Sequence, residues 1–281
     1  MNEASILAKL PRKHRNLVLG IGDDAAIYRP KANEDLVFTT DLFIEGVHFK
    51  SEWNRPPGLS PRSLSHRALA RSLSDIAAMG ARPQFCLVSL ALPKWATEQW
   101  IEEFYSGLLN LADQTNTALA GGDLSNAKYF TADVMLAGSV ARGKALRRDT
   151  ARAGDSIYVS GPLGGWRHRE SITPRLAEGR KLLGKATACI DISDGLAVDL
   201  HRLCLASKAS AALDDIPIQE GATLKQALHD GEDYELLYTA PPRTRVAGLR
   251  IGVMQKGTPS AITLHGQPLE PLGYDHFRTR T

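Results

Sequence analysis

Leu17-Val-Leu-Gly20-Ile-Gly22-Asp23-Asp24-Ala25-Ala26 is a short apolar run, two glycines that free the backbone, and two adjacent carboxylates. Aspartates side by side where a strand opens into a loop repel each other, and neither is buried unless a cation joins them. Similar groupings recur at Thr39-Thr40-Asp41, Ser74-Asp75, Gly121-Gly122-Asp123 and Asp191-Ile192-Ser193-Asp194. Each carboxylate stands where an apolar run stops, beside a small or hydroxyl residue. Oxygen ligands with backbone amides close by suit a hard divalent cation carrying a polyphosphate, so the pattern points to magnesium–nucleotide chemistry. Gly20-x-Gly22-x-x-Ala25 also matches a loose dinucleotide fingerprint. That fingerprint must open a helix, yet Pro30 arrives with no helical periodicity before it, and two carboxylates would face the pyrophosphate.

The rest of the composition bounds the class without naming a chemistry. The chain has 281 residues, enough for one large or two ordinary domains, and a globular 43% hydrophobic content. No apolar run approaches the roughly 20 residues of a membrane span, and the first residues lack the layout of a signal peptide. A net charge of +3 with scattered Lys and Arg speaks against nucleic acid as a partner. Cys86, Cys189 and Cys204 lie in or beside apolar segments without metal-type spacing, which reads as buried thiols in a reducing cytosol.

Along the chain, residues 2–10 read as a short helix. Leu17–Leu19 and Ala26–Tyr28 read as strands flanking the Gly-Asp-Asp loop, and Asp35–Thr40 as a strand ending at Asp41. Phe43–Phe49 continues extended, residues 54–61 are loop, and Ser63–Met79 is a helix ended by Gly80 and Pro83. On that helix Leu69, Leu73, Ile76 and Ala77 form the core arc. Asp75 points away from it, and its plainer reading is an i,i+4 pair with Arg71. Its neighbours Ala68, Ser72 and Ala78 are small, so that face admits close approach of a ligand or another backbone. A strand at Phe85–Leu92, an amphipathic helix at Thr97–Ala112 and a strand at Thr131–Val140 follow. The basic stretch from Gly138 to Gly154 reads as the joint between two halves, with Arg147 and Arg148 able to reach a phosphate. Beyond it come a strand at Ser156–Ser160, a polar irregular stretch over 166–180, and a segment Ala186–Ile190. A helix then opens after Asp191-Ile-Ser-Asp-Gly195, whose plainer reading makes Ser193 or Asp194 its N-cap. Leu236–Thr239, Leu249–Met254 and Ala261–Leu264 are the closing strands. Strands alternating with helices in both halves imply a mixed α/β (α+β) fold of two domains, 1–142 and 143–281.

The ordered set Gly20-Ile-Gly-Asp-Asp-Ala-Ala26, Thr39-Thr-Asp41, Glu45-Gly-Val-His-Phe49, Leu73-Ser-Asp-Ile-Ala-Ala-Met-Gly80, Gly121-Gly-Asp123, Asp191-Ile-Ser-Asp-Gly-Leu196, Gly231-Glu-Asp-Tyr-Glu-Leu236 and Gly273-Tyr-Asp-His-Phe277 resembles the thiamine-monophosphate kinase family. The resemblance implies an aminoimidazole ribonucleotide synthetase-like fold. Its N-terminal ATP- and metal-binding α/β domain carries strands that form a dimer barrel, and its C-terminal α/β domain completes the nucleotide and thiamine site. It further implies a cytoplasmic homodimer, with ATP, several Mg2+ ions and direct phosphoryl transfer to thiamine monophosphate. Residue by residue, it implies metal ligation by Asp24, Thr39, Thr40, Asp41, Asp75, Asp123, Asp191 and Asp194, with Asp23 in a supporting position. It implies ATP contacts from Gly122, Arg148 and Ser193, and thiamine contacts from His48, Glu232 and Tyr274. Asp41, Asp75, Asp123 and Arg148 are the expected catalytic group, since phosphoryl transfer depends on positioning and charge neutralisation more than on a strong base. Tyr274 can stack on a flat aminopyrimidine and Glu232 can accept hydrogen bonds from it.

One departure stands out. Between Gly161 and Thr173-Pro-Arg175 the family carries an additional helical stretch, and here Gly164-Gly-Trp-Arg-His-Arg-Glu-Ser-Ile172 alone bridges the gap. Two alternatives stay open: another enzyme of the same superfamily, and a nucleotide-binding sensor without catalysis. Against the first, no cysteine precedes Cys86 to serve as the reactive residue of selenophosphate synthetase-like members. Against the second, all the motif carboxylates are retained.

Overall fold

The computed structural model describes residues 6, 9–21, 24–49, 59–165 and 171–277. Gly22, Asp23, most of the expected helix over 2–10, residues 54–58 of the expected loop and the start of the shortened stretch, 166–170, lie outside the described residues. The chain separates into two compact units, Met1–Ile76 with Arg82–Arg142 and Glu170–Ile172, and Ala77–Ala81 with Gly143–Arg169 and Thr173–Thr281.

The first unit is built on β1 (Glu34–Ile44), α1 (Pro61–Ala78), β2 (Arg82–Leu92), α2 (Glu98–Thr115), β3 (Ala118–Asn126) and β4 (Thr131–Ala141). Its four-stranded sheet has the order β1-β4-β2-β3. β4 lies antiparallel to both β1 and β2, and β3 parallel to β2. Pro61 opens α1 at the position where a missing N–H costs nothing. The Thr97 side chain caps α2 by accepting from the Trp100 N–H, and Asn116 closes it in the left-handed region. Ile101, Phe104, Leu108 and Leu111 recur at helical spacing and are buried. They meet the sheet face that carries Val88, Leu90, Val134 and Leu136, where Phe43, Phe49, Phe104 and Phe130 are buried and their rings interlock. The opposite face is open: Leu36, Phe38 and Leu42 of the edge strand β1 are exposed.

Three expectations for this unit change. β1 runs unbroken through Asp41 to Ile44, because Asp41 finds a hydroxyl partner on α1 and Phe43 beyond it is buried. Gly121-Gly122-Asp123, expected where an apolar run stops, sits inside β3, which runs on past it, registered on Leu87, Val88 and Ser89. The strands expected at Leu17–Leu19 and Ala26–Tyr28 reduce to a single bridge, Leu19 to Ile27, held by backbone bonds of 2.8–3.3 Å.

The second unit holds β5 (Ser156–Val159), α3 (Leu176–Leu182), β6 (Ala188–Asp191), α4 (Leu196–Ala206), β7 (Ser210–Leu213), α5 (Leu224–His229), β8 (Leu236–Ala240), β9 (Leu249–Gln255), β10 (Ile262–Leu264) and β11 (Gln267–Pro268). Its seven strands follow the order β11-β10-β7-β9-β5-β8-β6. Ile157, Val159, Ile190, Leu237 and Ile251 of the sheet pack with Leu196, Leu200 and Leu203 of α4 and Leu228 of α5 in one core. Where an irregular stretch was expected up to residue 180, α3 forms, with Leu176, Gly179 and Leu182 buried along one side. β7 and α5 carry no expectation from the sequence. α5 is nonetheless marked by a capping box between Thr223 and Gln226. Cys86, Cys189 and Cys204 are free and buried, and burial pushes the Cys86 and Cys204 thiols up to about 12. Among the described residues no helix is long and apolar enough to cross a membrane.

Glu235, with a side chain 1% exposed, anchors this unit. Arg175 donates to both of its carboxylate oxygens, at 2.8 and 2.6 Å, and Ser160 Oγ donates at 2.5 Å. The bond to Glu235 holds the Arg175 pKa above its ordinary value. Breaking such a pair from one side leaves a buried charge without compensation, so Arg175→Met is expected to lower stability by about 3–5 kcal/mol, read from urea unfolding. Replacing both partners with apolar residues should recover most of that loss; a double variant as weak as Arg175→Met would contradict this account.

Candidate active site

In the first unit the candidate residues are distributed by the alternation of β1. Thr39 and Asp41 point to the helix-covered face, and Thr40 to the open one. On the covered face the Thr39 hydroxyl donates to Asp75 of α1, and Ser72 Oγ lies 2.8 Å from Asp41 Oδ2 and 3.1 Å from the Val134 carbonyl. Asp75 is therefore turned toward a β1 hydroxyl, rather than being only the solvated partner of Arg71. The small face around Ser72 is what lets β1 come this close. His48 joins the same neighbourhood: its Nδ1 accepts from the Ile44 N–H at 2.9 Å, and Arg71 Nη2 lies 3.3 Å from its Nε2. Its ring stacks on Phe43, with centroids 5.7 Å apart.

On the open face Thr40 Oγ1 donates to Asp133 at 2.7 Å. Asp133 of β4 is level with Ser89 of β2, which is level with Asp123 of β3, so these side chains form one row across the sheet. Ser125 Oγ donates to Asp123 at 3.1 Å. Asp133 is the candidate that the sequence reading missed. Only the β1–β4 register reveals it, since Thr131-Ala-Asp-Val carries no motif. Asp24 is exposed within the turn closed by Leu19 and Ile27. A cavity of about 480 Å3 in this unit is lined by Leu92, Lys94, Thr97, Glu98, Leu124 and Asn126 among others, and by none of the candidate residues.

In the second unit the turn Ser193–Gly195 is the hub. The Glu232 N–H donates to the Ser193 carbonyl at 2.8 Å, and the Tyr274 N–H to the Asp194 carbonyl at 2.9 Å. Asp191, Ser193, Asp194, Glu232 and Tyr274 are thereby gathered from distant parts of the sequence. Glu232 and Tyr234 both hold positive φ, 67° and 51°, a cost accepted where the surroundings fix the backbone. Between and beside them Asp233 accepts from the Gly164 and Gly165 amides at 2.7 and 3.0 Å, and Glu235 holds Arg175. The ends of the shortened stretch are thus tied down by the Gly-Glu-Asp-Tyr-Glu motif. The N-cap of α4 is Gly195, with no side-chain cap bond, rather than Ser193 or Asp194. Arg148 stands apart from this hub. It is exposed, and its carbonyl accepts from Ser207 Oγ just past the far end of α4.

Among the described residues no group of three His, Cys, Asp or Glu side chains converges on one point. What the chain offers instead is hydroxyl–carboxylate pairs with oxygen ligands alone. That donor set fits magnesium, which keeps several waters and is held by one or two carboxylates plus substrate phosphates rather than by a closed protein cage.

Residues 22–140 match the family model described as AIR synthase related protein, N-terminal domain, which gives the class: an AIR synthase-related α/β protein. The thiamine-monophosphate kinase of Salmonella typhimurium (strain LT2) is 33% identical over 309 residues, covering 92% of each chain. The solved thiamine-monophosphate kinase of Stenotrophomonas maltophilia K279a superimposes with a TM-score of 0.81 at 34% identity, covering 95% of both chains. A structure described as AaThiL complexed with AMPPCP and TMP superimposes with a TM-score of 0.79 at 28% identity, covering 92% of both. This chain belongs to the thiamine-monophosphate kinase family.

Gly122 is the most constrained point of the site. A Cβ there would stand 1.8 Å from the Val88 carbonyl oxygen, so any side chain must part β3 from β2. Gly122→Ala is expected to cost about 1–3 kcal/mol in thermal unfolding and to displace Asp123 along with it. An alanine variant of native stability would mean that the β2–β3 pairing is looser than described.

Proposed function

We propose that this protein transfers the γ-phosphoryl group of ATP directly to thiamine monophosphate, giving thiamine diphosphate and ADP. The observation that carries this reading is the set of hydroxyl-paired carboxylates on β1, α1 and β3, in a chain of the thiamine-monophosphate kinase family. An oxygen of the acceptor's phosphate forms a bond to Pγ. The bond from Pγ to its bridging oxygen breaks, and ADP leaves with that electron pair. Magnesium, when bound, neutralises charge on the transferring and leaving oxygens.

Asp24, Thr39, Thr40, Asp41, Asp75 and Asp123 of the first unit and Asp191 and Asp194 of the second are the residues we assign to holding it. Thr39 and Ser72 fix the carboxylates of Asp75 and Asp41 in defined orientations, which phosphoryl transfer needs more than it needs a base. Gly122 and Ser193 are assigned to the nucleotide, as is Arg148, whose charge is suited to the developing negative charge of the phosphates. His48, Glu232 and Tyr274 are assigned to the thiamine moiety. The buried free thiols agree with a cytoplasmic enzyme.

The test is an assay following thiamine diphosphate itself, with product expected only when ATP, Mg2+ and thiamine monophosphate are all present. Asp123→Asn is expected to lower kcat by about 100-fold or more while the protein stays folded. Tyr274→Ala should raise the KM for thiamine monophosphate about tenfold and that for ATP much less. A near-normal Asp123→Asn removes that residue from the metal set, and a shift in the ATP constant alone removes Tyr274 from the thiamine site.

We further assign the exposed face of β1 to a second copy of this chain. An eleven-residue edge strand bearing exposed Leu36, Phe38 and Leu42 invites pairing unless it is covered. Phe38 is 61% exposed in the single chain, so Phe38→Asp should leave its own fold intact and give a monomer in sedimentation. A dimer that survives the substitution would place the interface elsewhere.

A further inference from the structure

Asp199 is a buried carboxylate of the second unit that accepts four hydrogen bonds, and the sequence motifs gave it no role. Its side chain is 1% exposed on the first turn of α4. Oδ2 accepts from three consecutive backbone amides, Ser193 and Asp194 at 3.0 Å and Gly195 at 3.2 Å. Oδ1 accepts from Arg202 Nη1 at 2.6 Å, and the same nitrogen donates to Asp194 Oδ2 at 2.6 Å. A helix usually takes its cap from a side chain preceding it. Here a carboxylate inside the helix reaches back and gathers the amides of the turn that precedes it. Three donors on one oxygen fix the shape of that turn, from whose carbonyls Glu232 and Tyr274 also hang.

We propose that Asp199 is a positioning residue for the reaction: it sets the Ser193–Gly195 turn and, by sharing Arg202, sets how firmly the guanidinium holds the carboxylate of Asp194. This rests on the assignment of Asp194 to magnesium and Ser193 to the nucleotide made above. Arg202 is divided between two carboxylates. If Asp199 loses its charge, the guanidinium is left to Asp194 alone and competes harder with a metal for it, while the turn loses its charged acceptor. If Arg202 loses its charge, Asp194 is freed from that competitor. The two substitutions therefore move metal dependence in opposite directions, which a purely structural role would not do.

The experiment measures the Mg2+ concentration for half-maximal activity of the full-length enzyme, together with thermal unfolding without metal. Asp199→Asn, nearly isosteric, should raise that concentration about tenfold. Arg202→Gln, at a side chain 41% exposed, should lower it by about twofold to fivefold. The Asp199→Asn effect should vanish in an Asp194→Asn background, because both act on one ligand. An Asp199→Asn variant that melts earlier but keeps the normal Mg2+ dependence overturns the proposal. If Asp199→Asn does not fold, Arg202→Gln decides, and an unchanged Mg2+ dependence there overturns it equally. If Asp194→Asn itself leaves Mg2+ dependence unchanged, the metal assignment fails instead, and the two failures are told apart.

Discussion

A carboxylate taken out of water must be met by donors, and this chain is arranged around meeting that demand many times over. In the first unit the donors are hydroxyls. Thr39 meets Asp75 and Ser72 meets Asp41 on the helix-covered face, and on the exposed face Thr40 meets Asp133 and Ser125 meets the exposed Asp123. In the second, backbone amides and guanidinium groups serve Asp233, Glu235 and Asp199, with the Ser160 hydroxyl added at Glu235. The choice of donor matters chemically. A hydroxyl orients a carboxylate while leaving its remaining lone pairs and its full charge for a cation. An arginine or a row of amides uses that charge up. Hydroxyl-held aspartates are thus suited to metal and phosphate work, and Asp233, Glu235 and Asp199 to holding backbone in place, while Asp194, which shares Arg202 with Asp199, stands between the two.

The same constraint explains the packing of α1 on β1. A helix carrying large residues on its polar side would stand too far off for Ser72 and Asp75 to reach the strand. Ser72 sits at 0% exposure beside Ala68 at 0%, and its hydroxyl is shared between Asp41 and the Val134 carbonyl. Small side chains there set a separation at which hydroxyl and carboxylate meet. Next to them round the same helix Leu69, Leu73 and Ile76 are fully buried and supply the apolar contact that stabilises that approach.

Much of this was legible in the sequence wherever a pattern of period 2 or 3.6 coincided with a terminator. β4, α1 and α2 were recovered within a few residues for that reason. Some short elements were lost: α3, α5 and β7 span seven, six and four residues, too few for a period to declare itself, and unlike the equally short β5 and β10 they were not read from their apolar residues. α5 could have been found from its Thr-x-x-Gln box. The candidate carboxylates were legible as motifs, but their partners were not. Asp133 becomes visible only through the register of β4 on β1, and Asp199 only through a helix that takes its cap from within. Both are relations between residues that no local stretch encodes. The error at Ser193 and Asp194 was of the same kind, because local capping rules ignore a carboxylate six and five residues downstream with a stronger claim on the amides.

Gly231-Glu-Asp-Tyr-Glu235 shows how the two uses of a carboxylate are combined in one short run. Glu232 and Tyr234 take the left-handed conformation, each at a cost of about 1–3 kcal/mol for a residue other than glycine. Asp233 and Glu235 are buried, and they bind the Gly164 and Gly165 amides, Ser160 and Arg175. Tyr234 donates its amide to the Ile192 carbonyl, and the Ile192 amide returns a bond to the Glu235 carbonyl. The strain is therefore maintained by bonds on both sides of each strained residue. The left-handed turns at Glu232 and Tyr234 are what bring the glycine loop and Arg175 within reach of one short segment, and they leave the Glu232 amide bonded to Ser193 at the candidate site.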